Sequence, residues 1–274
     1  MNSSPAGRIT VSIDDRVASV TIDNPGQRNA LTRDMCLELQ ELMPHLEANP
    51  DVVVLTLRGD GTVFSAGASI NELSSVLLDP QPDGTRLDQL SLADGAIAAM
   101  TKPTVALVDG ACMGGGWQIA SACDFIIASD RSTFAITPAK LGVIYPRAGI
   151  ERLVRQIGEA RAKYILFTGE TFTASRAQDL GLIAEVVPDA GFEARCASIV
   201  TAVRDNSQFS VHTVKRLVGL TESDSALVDQ TWNAAWNEMT DGPDMGIGVA
   251  AFEARKPPRF EWKPAADEQG PLHP

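Results

Sequence analysis

Two short segments of the chain consist of residues too small to shield their own backbone. The segment GACMGGG covers residues 110–116, and the segment FSAGAS covers residues 64–69. Each follows an apolar run typical of a buried strand and precedes a helical pattern. The first N–H groups of a helix lack intrahelical acceptors and lie at the positive end of its dipole, so they favour an anion. Two such groups pointing at one spot would form an oxyanion hole.

A purely structural interpretation of these segments stays open. Glycine and alanine permit tight strand-to-helix turns and close packing, and either segment alone could have only that role. Nucleotide binding is disfavoured, because the glycines fit neither GxGxxG nor GxxxxGK[ST], and no GxSxG elbow occurs in the chain. The four cysteines form no CxxC pair and there are three histidines, so we expect no metal site.

The elements around these segments follow a repeated order of strand, small-residue loop and helix. RITVSID and VASVTID alternate as a hairpin, Thr32 is a candidate N-cap for the next helix, and VVVLTLRG reads as a buried strand. Residues 78–86 look like a mobile surface excursion, and helices dominate beyond about Gly158. We predict an α/β fold with a core over residues 1–200 and a helical C-terminal region and tail over residues 201–274, in one domain.

Composition limits the classes of partner. The chain has 274 residues, 44% of them hydrophobic, and a formal net charge of −12. An acidic surface without a basic run disfavours nucleic acid and anionic lipid, and no stretch approaches the roughly 18 apolar residues of a membrane span. We therefore expect a cytoplasmic protein with reduced thiols and no nucleic-acid or membrane partner.

Four motifs, in order along the chain, resemble the enoyl-CoA hydratase/isomerase superfamily, also called the crotonase family. They are NPGQRNAL, FSAGASINEL, KPTVALVDGACMGGGWQIASACDFIIAS and FAITPAKLGVIYPRAGIERL. The resemblance covers roughly residues 9–260 and implies a spiral of ββα units whose helical C-terminal region forms a homotrimer or a dimer of trimers. It also implies an acyl-CoA thioester as substrate, so that coenzyme A enters with the substrate and no separate cofactor is needed.

The resemblance assigns roles to individual positions. The N–H groups of Ala68 and Gly115 would hold the thioester oxygen. Arg28 would lie near the phosphates or ribose of CoA, and Lys256 near a CoA phosphate, although a solvated turn charge and a solvated tail charge remain alternative readings. The full set of expected substrate-binding residues is Arg28, Ala30, Ala66, Gly67, Ser69, Ile70, Gly114, Pro138, Leu141 and Lys256.

Both hydratase glutamates are missing. The resemblance places them two residues after the glycine run and four residues before the glycine of an L-G pair, and the chain has Gln118 and Pro138 there. Glutamine can hold a water but cannot take its proton. We therefore expect slow hydration, although overall similarity still favours the hydratase/isomerase class.

Tyr145, three residues after Gly142, is the first polar side chain to consider in their place. The TP..LGV.Y arrangement is similar to methylmalonyl-CoA decarboxylases of the superfamily, which need an oxyanion hole but no base. Tyr145 would then orient the leaving carboxylate or protonate the enolate, while the alternative is a turn aromatic whose hydroxyl finds a backbone partner. Glu151 and Asp124 are the remaining candidate carboxylates, both with structural alternatives.

The catalytic candidates are thus Ala68, Gly115, Tyr145 and Gln118. We expect an acyl-CoA enzyme that stabilises an enolate and is nominally a hydratase/isomerase. Two alternatives are kept, namely a malonyl-type decarboxylase and an acyl-CoA-binding protein without catalysis.

Overall fold

The computed structural model of the protein describes residues 7–220 and 225–263. Residues 1–6, 221–224 and 264–274, which belong to the two predicted regions, lie outside the described residues. The strands are β1 Arg8–Asp14, β2 Val17–Asp23, β3 Val54–Gly59, β4 Asp79–Pro80, β5 Arg86–Leu87, β6 Thr104–Val108, β7 Ala111–Met113, β8 Phe125–Ser129, β9 Thr133–Ala135, β10 Phe172–Thr173 and β11 Glu185–Val187.

The helices are α1 Arg33–Ala48, α2 Leu73–Leu77, α3 Gln89–Ala98, α4 Gly115–Ser121, α5 Arg147–Ile157, α6 Glu159–Thr168, α7 Ala174–Leu180, α8 Phe192–Asp205, α9 Gln208–Gly219, α10 Ser225–Asp241 and α11 Asp244–Ala254. Four short 3-10 helices complete the described regular structure: Pro25–Gln27, Ile70–Glu72, Pro138–Leu141 and Asp189–Gly191. No helix in the described part of the chain is both long and apolar enough to cross a membrane.

A six-stranded sheet in the order β1-β2-β3-β6-β8-β11 forms the centre of the fold. The predicted hairpin β1–β2 is antiparallel, and every later pairing in this sheet is parallel. Parallel neighbours require crossover connections, so the chain must leave the sheet after β3 and after β6 before it returns. The two connections that leave the sheet at these points contain the two small-residue segments.

A second, three-stranded sheet in the order β10-β9-β7 lies beside these departures. Isolated parallel bridges join Ser65 to Cys112 in β7 and Leu31 to Ala68. The FSAGAS segment is therefore fixed by backbone hydrogen bonds to two neighbours, although it is neither a helix nor a strand. Its position next to the glycine run follows from these bridges.

Helix α1 covers one face of the main sheet. Its predicted N-cap is confirmed, because Thr32 Oγ1 accepts a hydrogen bond from Met35 N at 3.3 Å. Met35, Leu39, Met43 and Leu46 are buried. Leu31, directly before the cap, is fully buried, so the packing of α1 also sets the position of the strand bridge to Ala68.

Residues 78–86, predicted to form a mobile surface excursion, are mostly exposed and include most of the small antiparallel hairpin β4–β5. Asp79 is 5% exposed, forms an ion pair with Arg33 at 2.8 Å and accepts a hydrogen bond from Gln89 Nε2 at 2.6 Å. The hairpin is thus tied to the start of α1 and to α3, next to the glycine run.

The C-terminal part is helical, as expected. Helix α8 continues past residue 200 and packs on the second face of the sheet through Phe192, Cys196 and Val200. Helices α9–α11 expose several large apolar side chains, including Trp232 and Trp236, which stack on each other with ring centroids 6.1 Å apart.

Candidate active site

The N–H group of Ala68, in the FSAGAS segment, has no acceptor among the described residues. In an extended segment successive N–H groups point to opposite sides, and Ser69 N donates to Leu31 O, so Ala68 N faces away from Leu31. Within the described part of the chain, no hydrogen bond uses Ala68 N. Its neighbours all donate: Ser65 N to Ala111 O at 3.0 Å, Ala66 N to Arg28 O at 3.0 Å, Gly67 N to Ser65 Oγ at 3.1 Å and Ser69 N to Leu31 O at 2.8 Å.

The second such group is Gly115 N, at the first position of α4. A residue at this position has no intrahelical acceptor. Gly114 N donates to Ala135 O at 2.8 Å and Gln118 N to Gly114 O at 3.1 Å, but no hydrogen bond among the described residues uses Gly115 N. The start of α4 therefore offers an unpaired donor, as the sequence predicts.

The two unpaired N–H groups lie side by side. A Cβ atom built on Gly115 would lie 2.9 Å from Ala68 N, and one built on Gly67 would lie 3.3 Å from Gly115 N. Gly67 also has φ +102°, a conformation that residues with side chains rarely adopt. Two donors this close can contact one oxygen atom, which is the geometry of an oxyanion hole.

Each of the three consecutive glycines is required for a different reason. Gly114 has φ +49°. At Gly115 a side chain would contact Ala68 N and Leu90 Cδ2, each at 2.9 Å. At Gly116 it would lie 2.7 Å from Ser65 Cβ, so the third glycine allows α4 to pack against the FSAGAS segment. The structural reading therefore holds for Gly114 and Gly116, while the role of Gly115 as an oxyanion donor stays a prediction.

The two donors line a cavity of about 180 Å³. Its wall is mostly apolar, with leucines from α2 and α3 facing residues of the loop before α5. Ten of the residues predicted from sequence line it: Ala66, Gly67, Ala68, Ile70, Gly114, Gly115, Gln118, Pro138, Leu141 and Tyr145. The sequence missed Leu73, Leu77, Leu78, Asp88, Leu90, Thr137, Val143, Ile144 and Pro146.

Four predicted substrate-binding residues do not line this cavity. Ala30 is buried, and its carbonyl accepts a hydrogen bond from Asn24 Nδ2 at 2.8 Å. Ser69 is also buried and its hydroxyl donates to Gln27 Oε1 at 3.2 Å. Arg28 and Lys256 have exposed side chains. Ala30 and Ser69 therefore support the loop from inside, while CoA contacts by the two cations stay predictions.

Gln118 is buried, 2% exposed, and lines the cavity. Its Nε2 donates to Ser91 Oγ at 3.4 Å, and the side chain also acts on the Asp94 carboxyl by lowering its pKa. The amide nitrogen thus has an acceptor on α3. Its carbonyl oxygen has no donor in the part of the chain that the structure describes, so it is available to a bound molecule.

A buried ion pair between Arg152 and Asp94 lies next to Gln118. Arg152 on α5 contacts Asp94 at 3.0 Å and donates to Ser121 Oγ at 3.1 Å. Asp94 is 1% exposed, and burial raises the pKa of its carboxyl while Arg152 and Gln118 act in the opposite direction. These contacts join α3, α4 and α5.

Asp88 is the residue that sequence reasoning missed and that bears most on chemistry. It lines the cavity and, of the described lining residues, it alone carries a carboxylate. It is the N-cap of α3, where Oδ1 accepts from Ser91 N at 3.0 Å and Oδ2 accepts from Ser91 Oγ at 2.5 Å. An aspartate before a helix is a common cap, so the sequence carried no signal that separated this one.

Tyr145 lines the cavity, but its hydroxyl oxygen is closed off from solvent. The hydroxyl has no hydrogen-bond partner among the described residues, although it lies near Ser121. A Cβ atom on Gly149 would lie 3.1 Å from it, and burial raises its pKa. The described residues supply no backbone partner of the kind expected under the alternative reading, and the enclosed hydroxyl is not presented to a ligand as the proton-transfer role requires.

The other candidates have structural roles. Glu151 pairs with Arg147 at 2.6 Å on the surface of α5. Asp124 accepts from Thr104 N at 2.7 Å and from Lys215 Nζ at 2.9 Å. Burial raises the pKa of the Cys123 thiol to about 12, which makes it a poor nucleophile. No cluster of three metal-binding side chains occurs within the described residues.

Comparisons with known proteins show the family of this chain. The sequence model of the family described as enoyl-CoA hydratase/isomerase matches residues 12–263. A mevalonyl-coenzyme A hydratase of Aspergillus fumigatus is 32% identical over 90% of this chain and 91% of its own length. A peroxisomal Δ(3,5)-Δ(2,4)-dienoyl-CoA isomerase of Arabidopsis thaliana is 29% identical over 92% of this chain and 95% of its own length.

Solved structures show the same relationship. A crystal structure described as an enoyl-CoA hydratase/isomerase family member is 63% identical to this chain and superposes with a TM-score of 0.93, covering 96% of this chain and 100% of the other. The match extends from the first strands to the C-terminal helices. With the family model and the relatives, it establishes that this chain belongs to the enoyl-CoA hydratase/isomerase, or crotonase, family.

Proposed function

We propose that the protein binds acyl-CoA thioesters and stabilises the thioester enolate through the N–H groups of Ala68 and Gly115. The observation that carries this proposal is the pair of unpaired N–H groups at one point of an apolar cavity. Such donors are aimed at charge that develops on the carbonyl oxygen, and each is worth about 3–4 kcal/mol of the barrier. The names of the relatives, a hydratase and an isomerase of CoA thioesters, support the substrate class.

The reaction proposed is proton transfer at the carbons next to the thioester. Efficient hydration by two glutamates is not available, because Gln118 and Pro138 occupy their positions. A family member can still move a proton with one base, whereas water addition needs the water activated and the α-carbon protonated. We therefore propose an isomerase-type activity, with hydration as a slow side reaction.

Malonyl-type decarboxylation is the weaker candidate on physical grounds. A substrate carboxylate in this cavity would meet the like charge of Asp88, which is unfavourable in a site of low dielectric constant. The enclosed Tyr145 hydroxyl cannot orient a leaving carboxylate without a change in side-chain position. The absence of both glutamates remains compatible with this reaction, so the experiment includes it.

The experiment is a comparison of acyl-CoA classes with the purified protein. Calorimetry measures binding, and mass spectrometry follows mixtures with crotonyl-CoA, a β,γ-unsaturated acyl-CoA, malonyl-CoA and methylmalonyl-CoA. We expect binding and conversion of the β,γ-unsaturated thioester. No binding at millimolar acyl-CoA would refute the proposal, binding without any conversion would favour the non-catalytic alternative, and CO₂ loss would favour the decarboxylase.

A further inference from the structure

The proposed function leaves the proton acceptor unidentified. An enolate forms from a neutral thioester only if some group removes the α-proton, and glutamine and proline cannot do so. Glu151 and Asp124 are held by surface and strand-end partners outside the cavity lining. A base that can reach the substrate must therefore belong to the residues that line the cavity.

Asp88 meets the positional requirement. It lines the same cavity as Ala68 and Gly115, and Leu90, two residues further on, approaches so near that a Cβ on Gly115 would lie 2.9 Å from its Cδ2. The first turn of α3 is thus adjacent to the oxyanion hole. Asp88 stands at the start of that turn, is half-buried, and belongs to the residues that line the cavity.

Hydrogen bonds to both oxygens fix the orientation of the Asp88 carboxylate. Both carboxylate oxygens accept from Ser91, one from the backbone and one from the hydroxyl. Ser91 Oγ in turn accepts from Gln118 Nε2 at 3.4 Å. A capping aspartate needs only the bond to the backbone. The second bond and its continuation to Gln118 connect the carboxylate to α4, the helix whose first N–H belongs to the oxyanion hole.

We propose that the Asp88 carboxylate is the proton-transfer group of this site and that Ser91 is its positioning residue. The inference rests on the proposed function. The carboxylate takes the α-proton of a β,γ-unsaturated acyl-CoA, the C–H electron pair enters the dienolate, and negative charge moves to the thioester oxygen between Ala68 N and Gly115 N. The same proton then returns to the γ-carbon, which regenerates the carboxylate and leaves the α,β-unsaturated thioester.

Substitution by asparagine separates this role from capping. Asparagine caps helices about as well as aspartate and has nearly the same shape, but it cannot take a proton. If Asp88 only capped the helix, Asp88→Asn would therefore leave the rates of exchange and isomerisation unchanged. Asp83→Asn is the matched control, because Asp83 lies in the nearby hairpin turn, bonds to Thr85 and is absent from the cavity wall.

The measurement is deuterium incorporation from D₂O into a β,γ-unsaturated acyl-CoA and its isomerisation, both followed by mass spectrometry. We expect Asp88→Asn to lower both rates by about 10²- to 10⁴-fold. Its acyl-CoA affinity and melting temperature should stay near those of the wild type, and Asp83→Asn should leave all four quantities unchanged. Ser91→Ala should lower kcat with little change in KM, because only the orientation of the base is lost.

The outcomes separate this inference from the proposed function. Wild-type rates retained within threefold in Asp88→Asn would overturn the role of Asp88 while leaving the oxyanion hole intact. Binding by the wild type without any exchange would overturn it as well. A wild type that binds no acyl-CoA would instead refute the proposed function, on which the inference depends.

Discussion

The site is built from backbone, because its two N–H groups belong to Ala68 and Gly115, residues with little or no side chain. A run of Gly and Ala between a strand and a helix is visible in the sequence, so Gly67 and Gly115 were predictable. Asp88 was not, because a capping aspartate looks the same whether its helix starts at a cavity or in solvent. Tyr145 was predicted to orient a leaving carboxylate or protonate the enolate, but burial of its hydroxyl depends on Gly149 and Ser121, which pattern alone cannot place.

The substitution Gly115→Ala tests the oxyanion hole at the residue scale. The added methyl group would lie 2.9 Å from Ala68 N, in the space between the two donors. We expect turnover of an acyl-CoA substrate to fall by about 10²- to 10³-fold, as when an oxyanion donor is removed. Gly95→Ala in α3 is the control, since a Cβ there meets no atom within 4 Å. Equal turnover in Gly115→Ala and wild type would contradict the assignment.

The substitution Tyr145→Phe tests whether the enclosed hydroxyl has a chemical role. Removing a buried hydroxyl without a partner leaves no unsatisfied group behind, so the free energy of unfolding should stay constant or rise by about 1 kcal/mol. Because the hydroxyl is closed off from solvent, we expect turnover to change less than about threefold. A loss of tenfold or more, with unchanged affinity, would return Tyr145 to the mechanism.

At the element scale, the sequence predicted elements with clear periodicity and missed those without it. The alternating strands β1 and β2 and the capped helix α1 follow from local pattern. The hairpin β4–β5 has strands of two residues each, too short for any alternation to be visible. Its anchor, the ion pair between the buried Asp79 and the partly exposed Arg33, joins residues 46 positions apart, a contact that no local pattern contains.

The packing of α9 predicts a pH dependence of stability. Burial lowers the pKa of His212 to about 4, and the positive charges of Lys215 and Lys102 act in the same direction. The centroids of the His212 and Trp262 rings are 5.3 Å apart. In the unfolded chain the imidazole of His212 takes up a proton near pH 6.5, whereas in the folded protein it stays neutral until about pH 4. The stability that the neutral imidazole contributes to the fold is therefore present above pH 6.5 and is lost as the pH falls towards 4. We expect the free energy of unfolding to drop by about 2 kcal/mol between pH 7 and pH 5 from this residue.

Urea unfolding of wild type and His212→Gln at both pH values measures that contribution. The variant should show a smaller loss, because glutamine does not titrate. The interval from pH 7 to pH 5 avoids most carboxyl titration, so the difference between the two proteins reports on His212. The same loss in both proteins would contradict the account.

At the scale of the whole molecule, the apolar side chains exposed on α9–α11 bear on assembly. They include Val214, Leu227, Trp232, Trp236, Met245, Val249 and Phe252. Large exposed apolar patches are rare on monomers, and the family resemblance implies a trimer or a dimer of trimers. Light scattering should therefore give three or six times the chain mass of 29.2 kDa. Trp236→Glu should shift the distribution towards smaller species, while a clean wild-type monomer would refute the expectation.

The most direct test of the central claim is the vibrational frequency of the thioester carbonyl in the bound state. Infrared difference spectra with a ¹³C-labelled acyl-CoA report on hydrogen bonds to that oxygen alone. Two N–H donors polarise the carbonyl, so we predict a lower stretching frequency when the thioester is bound to the wild type than in water, and a return towards the free value in Gly115→Ala. A bound carbonyl with the same frequency as the free thioester in the wild type would contradict the account.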